Sequence, residues 1–139
     1  MCSLPVEEGT SILDCVLVGH ATFGRFDIEA WIEHAAPVSW PDGHLTAVLD
    51  ADQVDADVLV RPPRPGERFR PAGSHGSKPV LAALAEAGVP ASMRASQPVV
   101  AARSGDVCWV VGYRVDERVK VTARTRRYLW ISLAKAPTE

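Results

Sequence analysis

Residues 61–78 read Arg61-Pro62-Pro63-Arg64-Pro65-Gly66-Glu67-Arg68-Phe69-Arg70-Pro71-Ala72-Gly73-Ser74-His75-Gly76-Ser77-Lys78, a run with four arginines, four prolines and three glycines. Proline fixes φ, so a loop rich in it loses less entropy when it holds its arginines in one arrangement. Glycine tolerates positive φ and lets backbone come close to a ligand. The run is read as a stiffened basic loop that leads from a short strand, Val58–Val60, into the clearest helix of the chain. That helix is expected over Ser77–Ala87: Ser77 is a good N-cap, Pro79 is tolerated in a first turn, Val80, Leu81 and Leu84 form an apolar stripe, and Gly88 and Pro90 stop it. At roughly eleven residues it must pack on a sheet to persist. Its first amides would favour an anion, which would also relieve Lys78 in the first turn. The alternative is a solvated arginine-rich connector in front of a capped helix.

Outward from the loop, strands predominate. Ile12–Val18 reads as a buried strand ended by Gly19, and Arg25–Ile32 alternates apolar and polar residues with the period of a half-covered strand, so the two are expected to form a hairpin. Residues 33–44 read as loop, with Trp40 folded back over the sheet, and Leu45–Leu49 as a short strand. Residues 91–97 can add one helical turn bearing Arg94. Val99–Ala102 and Val107–Val111 read as a hairpin across Ser104-Gly105-Asp106, and Tyr113–Val121 and Tyr128–Ala134 as extended segments.

At 139 residues and 47% apolar, the chain has the size of one ordinary globular domain, or two small layers sharing a core. No run approaches the roughly 18 to 20 apolar residues of a membrane span, and Met1–Thr10 lacks a signal pattern, so a cytoplasmic protein with no membrane partner is expected. Cys2, Cys15 and Cys108 are odd in number and far apart, which argues against a disulfide framework or a zinc site. The net charge of −2 hides a sharp division. Residues 1–57, an acidic β segment, hold one basic residue against eleven acidic ones, for −10; residues 58–139 hold fourteen basic against six acidic, for +8. A division of this kind supplies a basic face for a polyanion, or two halves that attract each other.

Catalytic signatures are missing: there is no phosphate loop, no dinucleotide fingerprint, no nucleophile elbow, no His-Glu-x-x-His and no Cys/His cluster. Asp50, Asp52, Asp55 and Asp57 do not make an EF-hand, since its sixth and twelfth positions would be Asp55 and Arg61. His34 and His44 have no ligand partner at a recognisable spacing. What remains is a set of cations and donors. The residues placed at a phosphate-binding site are Arg61, Arg64, Arg68, Arg70, Ser74, Ser77 and Lys78 around the loop, with Arg94 and Arg114 beyond it. For the cations after Arg103, surface charge and ion pairing is the stronger reading. Few aromatics alternate with the cations, so folded RNA read by shape and backbone fits better than stacked single strands.

The residues Leu49-Asp50-Ala51-Asp52, the run Val60–Pro71, Gly76-Ser77-Lys78, Gly88-Val89-Pro90, Arg94, Pro98, the run Trp109–Thr122 and Thr125 together resemble the C-terminal region of bacterial tRNA(Ile)-lysidine synthetase. Order and spacing match over about residues 45–131, and residues 1–44 match weakly. The resemblance implies an α+β, β-rich fold, a layered β-sheet or sandwich with one or two short helices, similar to a domain of phenylalanyl-tRNA synthetase. It also implies acceptor-arm recognition of an isoleucine tRNA in the service of ATP-dependent joining of lysine to the wobble cytidine. The family's catalytic Ser-Gly-Gly-x-Asp-Ser loop has no counterpart here, so this chain is expected to bind neither ATP nor lysine and not to catalyse alone. Gly66-Glu67-Arg68 stands where the family has Gly-Asp-Arg, and Ala91-Ser92-Met93 is less basic than the family pattern. Two alternatives are a module that docks on a separate catalytic ligase subunit through its acidic half, and a small-molecule phosphate binder at Gly73–Lys78.

Overall fold

A computed structural model describes residues 11–14, 19–23, 26–41, 45–54, 57–102 and 104–135. One antiparallel sheet has the order β1 (Ser11–Asp14), β5 (Asp57–Arg61), β8 (Val99–Ala102), β9 (Val107–Val110). A second has the order β2 (Gly19–Phe23), β3 (Phe26–Glu33), β10 (Tyr128–Lys135), β4 (Thr46–Asp50). Each sheet takes strands from both sides of residue 57, so the charge division is not a division between sheets.

In the second sheet β10 is central, and its register explains the alternation of the sequence. Leu129 lies across from Ile32 and Leu49, and Ile131 from Ala30 and Ala47, which puts one apolar row inward. The opposite row turns outward, where the rings of Trp31 and Trp130 stack with centroids 5.7 Å apart. The inward row packs on Val58, Val60, Val100, Ala102 and Trp109 of the first sheet. β8 and β9 are buried on both faces, because the first sheet is a middle layer. Its other side is covered by α1 (Val80–Glu86) and a short ribbon of β6 (Arg68–Phe69) and β7 (Lys78–Pro79), through Phe69, Val80, Ala83 and Leu84 against Val99, Val107 and Val110. A second helical turn, α2 (Ala91–Arg94), follows. The architecture is the layered, β-rich α+β fold expected.

Three local expectations are corrected. β1, described over Ser11–Asp14, pairs with β5, and Gly19–Phe23 form β2, the true hairpin partner of β3; Cys15–Val18 of the expected first strand lie outside the described residues. Periodicity shows that a strand exists but not which distant strand it joins. The helix starts at Val80 with Pro79 as its N-cap, and no side chain caps it. Pro79 disfavours helical backbone at Lys78, so Ser77 cannot open the helix, and Lys78 pairs with Phe69 instead. Residues 113–121 are turns rather than a strand: Val115 and Asp116 make isolated bridges to Trp109 and Pro71, and Glu117–Val119 is a 3-10 turn capped by the Asp116 carboxylate.

Cys108 is buried, His34 is exposed and Trp40 is 57% exposed. Met1–Thr10, Cys2, Cys15, His44, Asp55 and Arg103 lie outside the described residues. Among the described residues no helix is long and apolar enough to cross a membrane, and no group of three His, Cys, Asp or Glu could hold a metal.

Candidate nucleic-acid interface

The basic loop is built on two turns that the sequence chemistry dictates. In Arg64-Pro65-Gly66-Glu67, the Glu67 amide donates to the Arg64 carbonyl at 3.1 Å and Gly66 has φ 74°, a conformation that an L side chain resists. In Pro71-Ala72-Gly73-Ser74, the Ser74 amide donates to Pro71 at 2.9 Å and Gly73 has φ 84°. Both follow the type II pattern, with glycine third.

The first turn brings Glu67 back onto Arg61. Arg61 is fully buried; Nη1 donates to Glu67 Oε1 at 2.9 Å and to the Pro62 carbonyl at 3.1 Å, while Nη2 bonds Glu67 Oε2 and, at 3.1 Å, the Gly105 carbonyl. Glu67 Oε1 also accepts the Arg64 amide at 3.1 Å. Arg61, expected at a phosphate site, is therefore the internal brace of the loop and presents no surface charge.

The remaining sequence-predicted residues divide into groups. Arg68 and Arg70 flank buried Phe69, so their side chains turn to the opposite, exposed side. Arg68 donates from Nε and Nη2 to Ser77 Oγ and the Ser77 carbonyl at 3.0 and 3.2 Å, and Arg70 donates from Nη2 to the His75 carbonyl at 3.4 Å. Ser74 Oγ closes the same loop on Gly76. These partners are neutral and use only part of each guanidinium's five donors. Lys78 and Arg114 lie against the ring of Tyr113, 5.7 and 5.2 Å from its centroid, and Lys78 is also ion-paired to Glu86. Arg64 is half-buried beside Gly105. Arg94 stands on α2, where Nε donates to the Val89 carbonyl at 2.9 Å. The structure thus gathers Arg68, Arg70, Ser74 and Ser77 around one loop, with Lys78 and Arg114 on Tyr113.

Sequence reasoning passed over the acidic residues that hold this array. Buried Asp116 accepts the Arg70 amide at 2.9 Å, the Arg118 amide at 2.8 Å and Arg118 Nε at 2.9 Å. Glu117 accepts the Gly73 amide at 2.8 Å through Oε1 and pairs with Lys120 at 2.7 Å through Oε2. Those two bonds, Lys120 first, hold the Glu117 carboxyl below its ordinary 4.5. The hydrogen bond to Asp116 holds Arg118 above its own usual range. The available signal was Asp116 ahead of Glu117-Arg118, the pattern of an aspartate closing a turn on the amide two residues on.

The TilS substrate C-terminal domain family matches residues 58–130. The tRNA(Ile)-lysidine synthase of Dehalococcoides mccartyi is 30% identical over 93% of this chain and 27% of its own length, and that of Symbiobacterium thermophilum 36% identical over 74% and 21%. The chain thus spans about a quarter of the length of these relatives. In fold it is similar to a crystal structure of the TilS C-terminal domain, with TM-score 0.78 at 20% identity, covering 93% of this chain and 99% of that one. It is also similar to an N-terminal fragment of the phenylalanyl-tRNA synthetase β-subunit from Pyrococcus horikoshii, with TM-score 0.54 at 17% identity over 66% and 29%. On the family match, which takes in the basic loop, three of the four strands of the middle layer (β5, β8 and β9) and the start of β10, the chain belongs to the TilS substrate C-terminal domain family.

Proposed function

We propose that this chain is the tRNA-gripping part of a cytoplasmic tRNA(Ile)-lysidine synthase. In this reading it holds backbone phosphates of the acceptor arm of an isoleucine tRNA, and a catalytic portion outside these residues uses ATP and lysine to modify the wobble cytidine. The observation that carries the reading is the pair Arg68 and Arg70, exposed on one side of the loop and bonded to carbonyls and a hydroxyl rather than to carboxylates. Donors left over on a guanidinium match phosphate oxygens two at a time. Arg114, laid on Tyr113, adds a third exposed cation beside the ribbon.

The test is a titration of an isoleucine tRNA transcript at several salt concentrations with the wild type and with Arg68, Arg70 and Arg114 all replaced by alanine. Each phosphate contact contributes about 0.7 to 0.9 to the slope of log affinity against log salt. The triple variant is expected to bind more weakly, with a slope shallower by about 2 to 3 and an unchanged melting temperature. Wild-type affinity that ignores salt would remove the phosphate-gripping role. It would favour docking on a catalytic ligase subunit, for which exposed Glu29 and Glu33 on β3 provide an acidic outer face.

A further inference from the structure

A second set of cations stands beyond Glu117. There a cavity of about 650 Å³ is walled in part by Asp50, Asp52, Glu117, Lys120, Arg124 and Arg126. Among the described residues its carboxylates are all engaged. Asp50 accepts Thr125 Oγ1 at 2.9 Å and the Asp52 amide at 2.9 Å, Asp52 pairs with Arg127 at 2.8 Å, and Glu117 holds Gly73 and Lys120. Arg124 and Arg126 are exposed, and among the described residues their guanidiniums have neither hydrogen bond nor ion pair.

The turn that carries them is fixed from within. Thr125 is buried; its hydroxyl bonds Asp50 and accepts the Thr122 amide at 2.8 Å, its amide donates to Thr122 at 3.1 Å, and its carbonyl accepts the Tyr128 hydroxyl at 3.1 Å. Arg124 and Arg126 flank this anchored residue, and so are held out by a frame that already has its order. Binding through such a frame loses little further backbone entropy.

We propose that residues 122–127 form a second phosphate-contact edge, which takes up RNA backbone beyond the stretch held by Arg68 and Arg70. Glu117 joins the two edges, with one oxygen on the basic loop and the other on Lys120. An acidic protein would answer the same charge, but a protein interface is centred on aromatic and aliphatic anchors. Among the described residues this wall has none, its only apolar side chain being Ala123. The inference rests on the tRNA-binding reading above.

The experiment compares R124Q/R126Q, R68Q/R70Q and the quadruple variant with the wild type, titrating the same tRNA transcript at several salt concentrations. Each double variant is expected to make the salt slope shallower by about 1.4 to 1.8, the quadruple by the sum, with melting temperatures unmoved. The charge-keeping variant R124K/R126K should retain the wild-type slope; a slope as shallow as that of R124Q/R126Q would show that the turn, not its charge, was lost, and overturn the proposal. If R124Q/R126Q binds as the wild type does while R68Q/R70Q is weakened, the second edge fails and the basic loop stands. If the wild type shows no salt-dependent binding, both fail.

Discussion

A guanidinium taken wholly out of water needs a carboxylate and acceptors for its other donors; at Arg61 the Glu67 carboxylate and the Pro62 and Gly105 carbonyls meet Nη1 and Nη2, while Nε has no partner among the described residues. Removing one partner of such a buried pair leaves an uncompensated charge and costs about 3 to 5 kcal/mol, whereas an exposed arginine bonded to carbonyls contributes little to stability. Glu67→Gln is therefore expected to lower stability by about 3 kcal/mol in a denaturant melt, while Arg68→Ala stays within about 0.5 kcal/mol. Equal losses would mean that Arg61 does not brace the loop. Two arginines of one short run thus have different duties, and nothing in their residue type says which is which. The difference comes from the Pro65-Gly66 turn that aims Glu67 at one of them.

At the scale of elements, Gly66 and Gly73 decide whether the loop can turn back on itself. A Cβ at Gly66 would meet nothing within 4 Å, so an alanine there is penalised only through its backbone. Left-handed backbone costs an L residue about 1 to 2 kcal/mol, and Gly66→Ala should reduce stability by that amount, readable as a lower urea midpoint with an unchanged m-value. An unchanged midpoint would mean that the turn relaxes to another conformation. The same elements show how far local reading reaches. Three strands of the second sheet, β3, β4 and β10, with the Val99–Val110 hairpin and the short helix, were legible because alternation and apolar runs are properties of neighbouring residues, whereas β2 was not read. The pairing of β1 with β5 was not, since it depends on residues far apart in the chain. The helix start was misplaced because the preference of Ser77 for caps was weighed without the restraint that Pro79 puts on Lys78. The basic site was legible as composition, but its holders, Glu67, Asp116 and Glu117, were not, because acidic residues within a cationic run read as interruptions of it.

At the scale of the whole molecule, the acidic and basic stretches are joined through both sheets. β10 lies between β3 and β4, and β1 borders β5, so neither charge half keeps a complete sheet without the other. A fragment of residues 58–139 would lack both neighbours of β10 and leave the inward row of Leu129, Ile131 and Leu133 without β3 and β4. It is expected to show no cooperative thermal transition, and a sharp melt by circular dichroism would refute this. The place of β10 has another consequence, in time. Among the described strands it is the last to emerge during synthesis yet lies between β3 and β4, so those two must wait on the ribosome with open edges. Such late closure over a long sequence separation is slow and leaves strands open to mispairing. A synthesis pause or truncation just before Tyr128 would therefore hand a nascent chain to chaperones with most of its residues made and half of its sandwich unable to close.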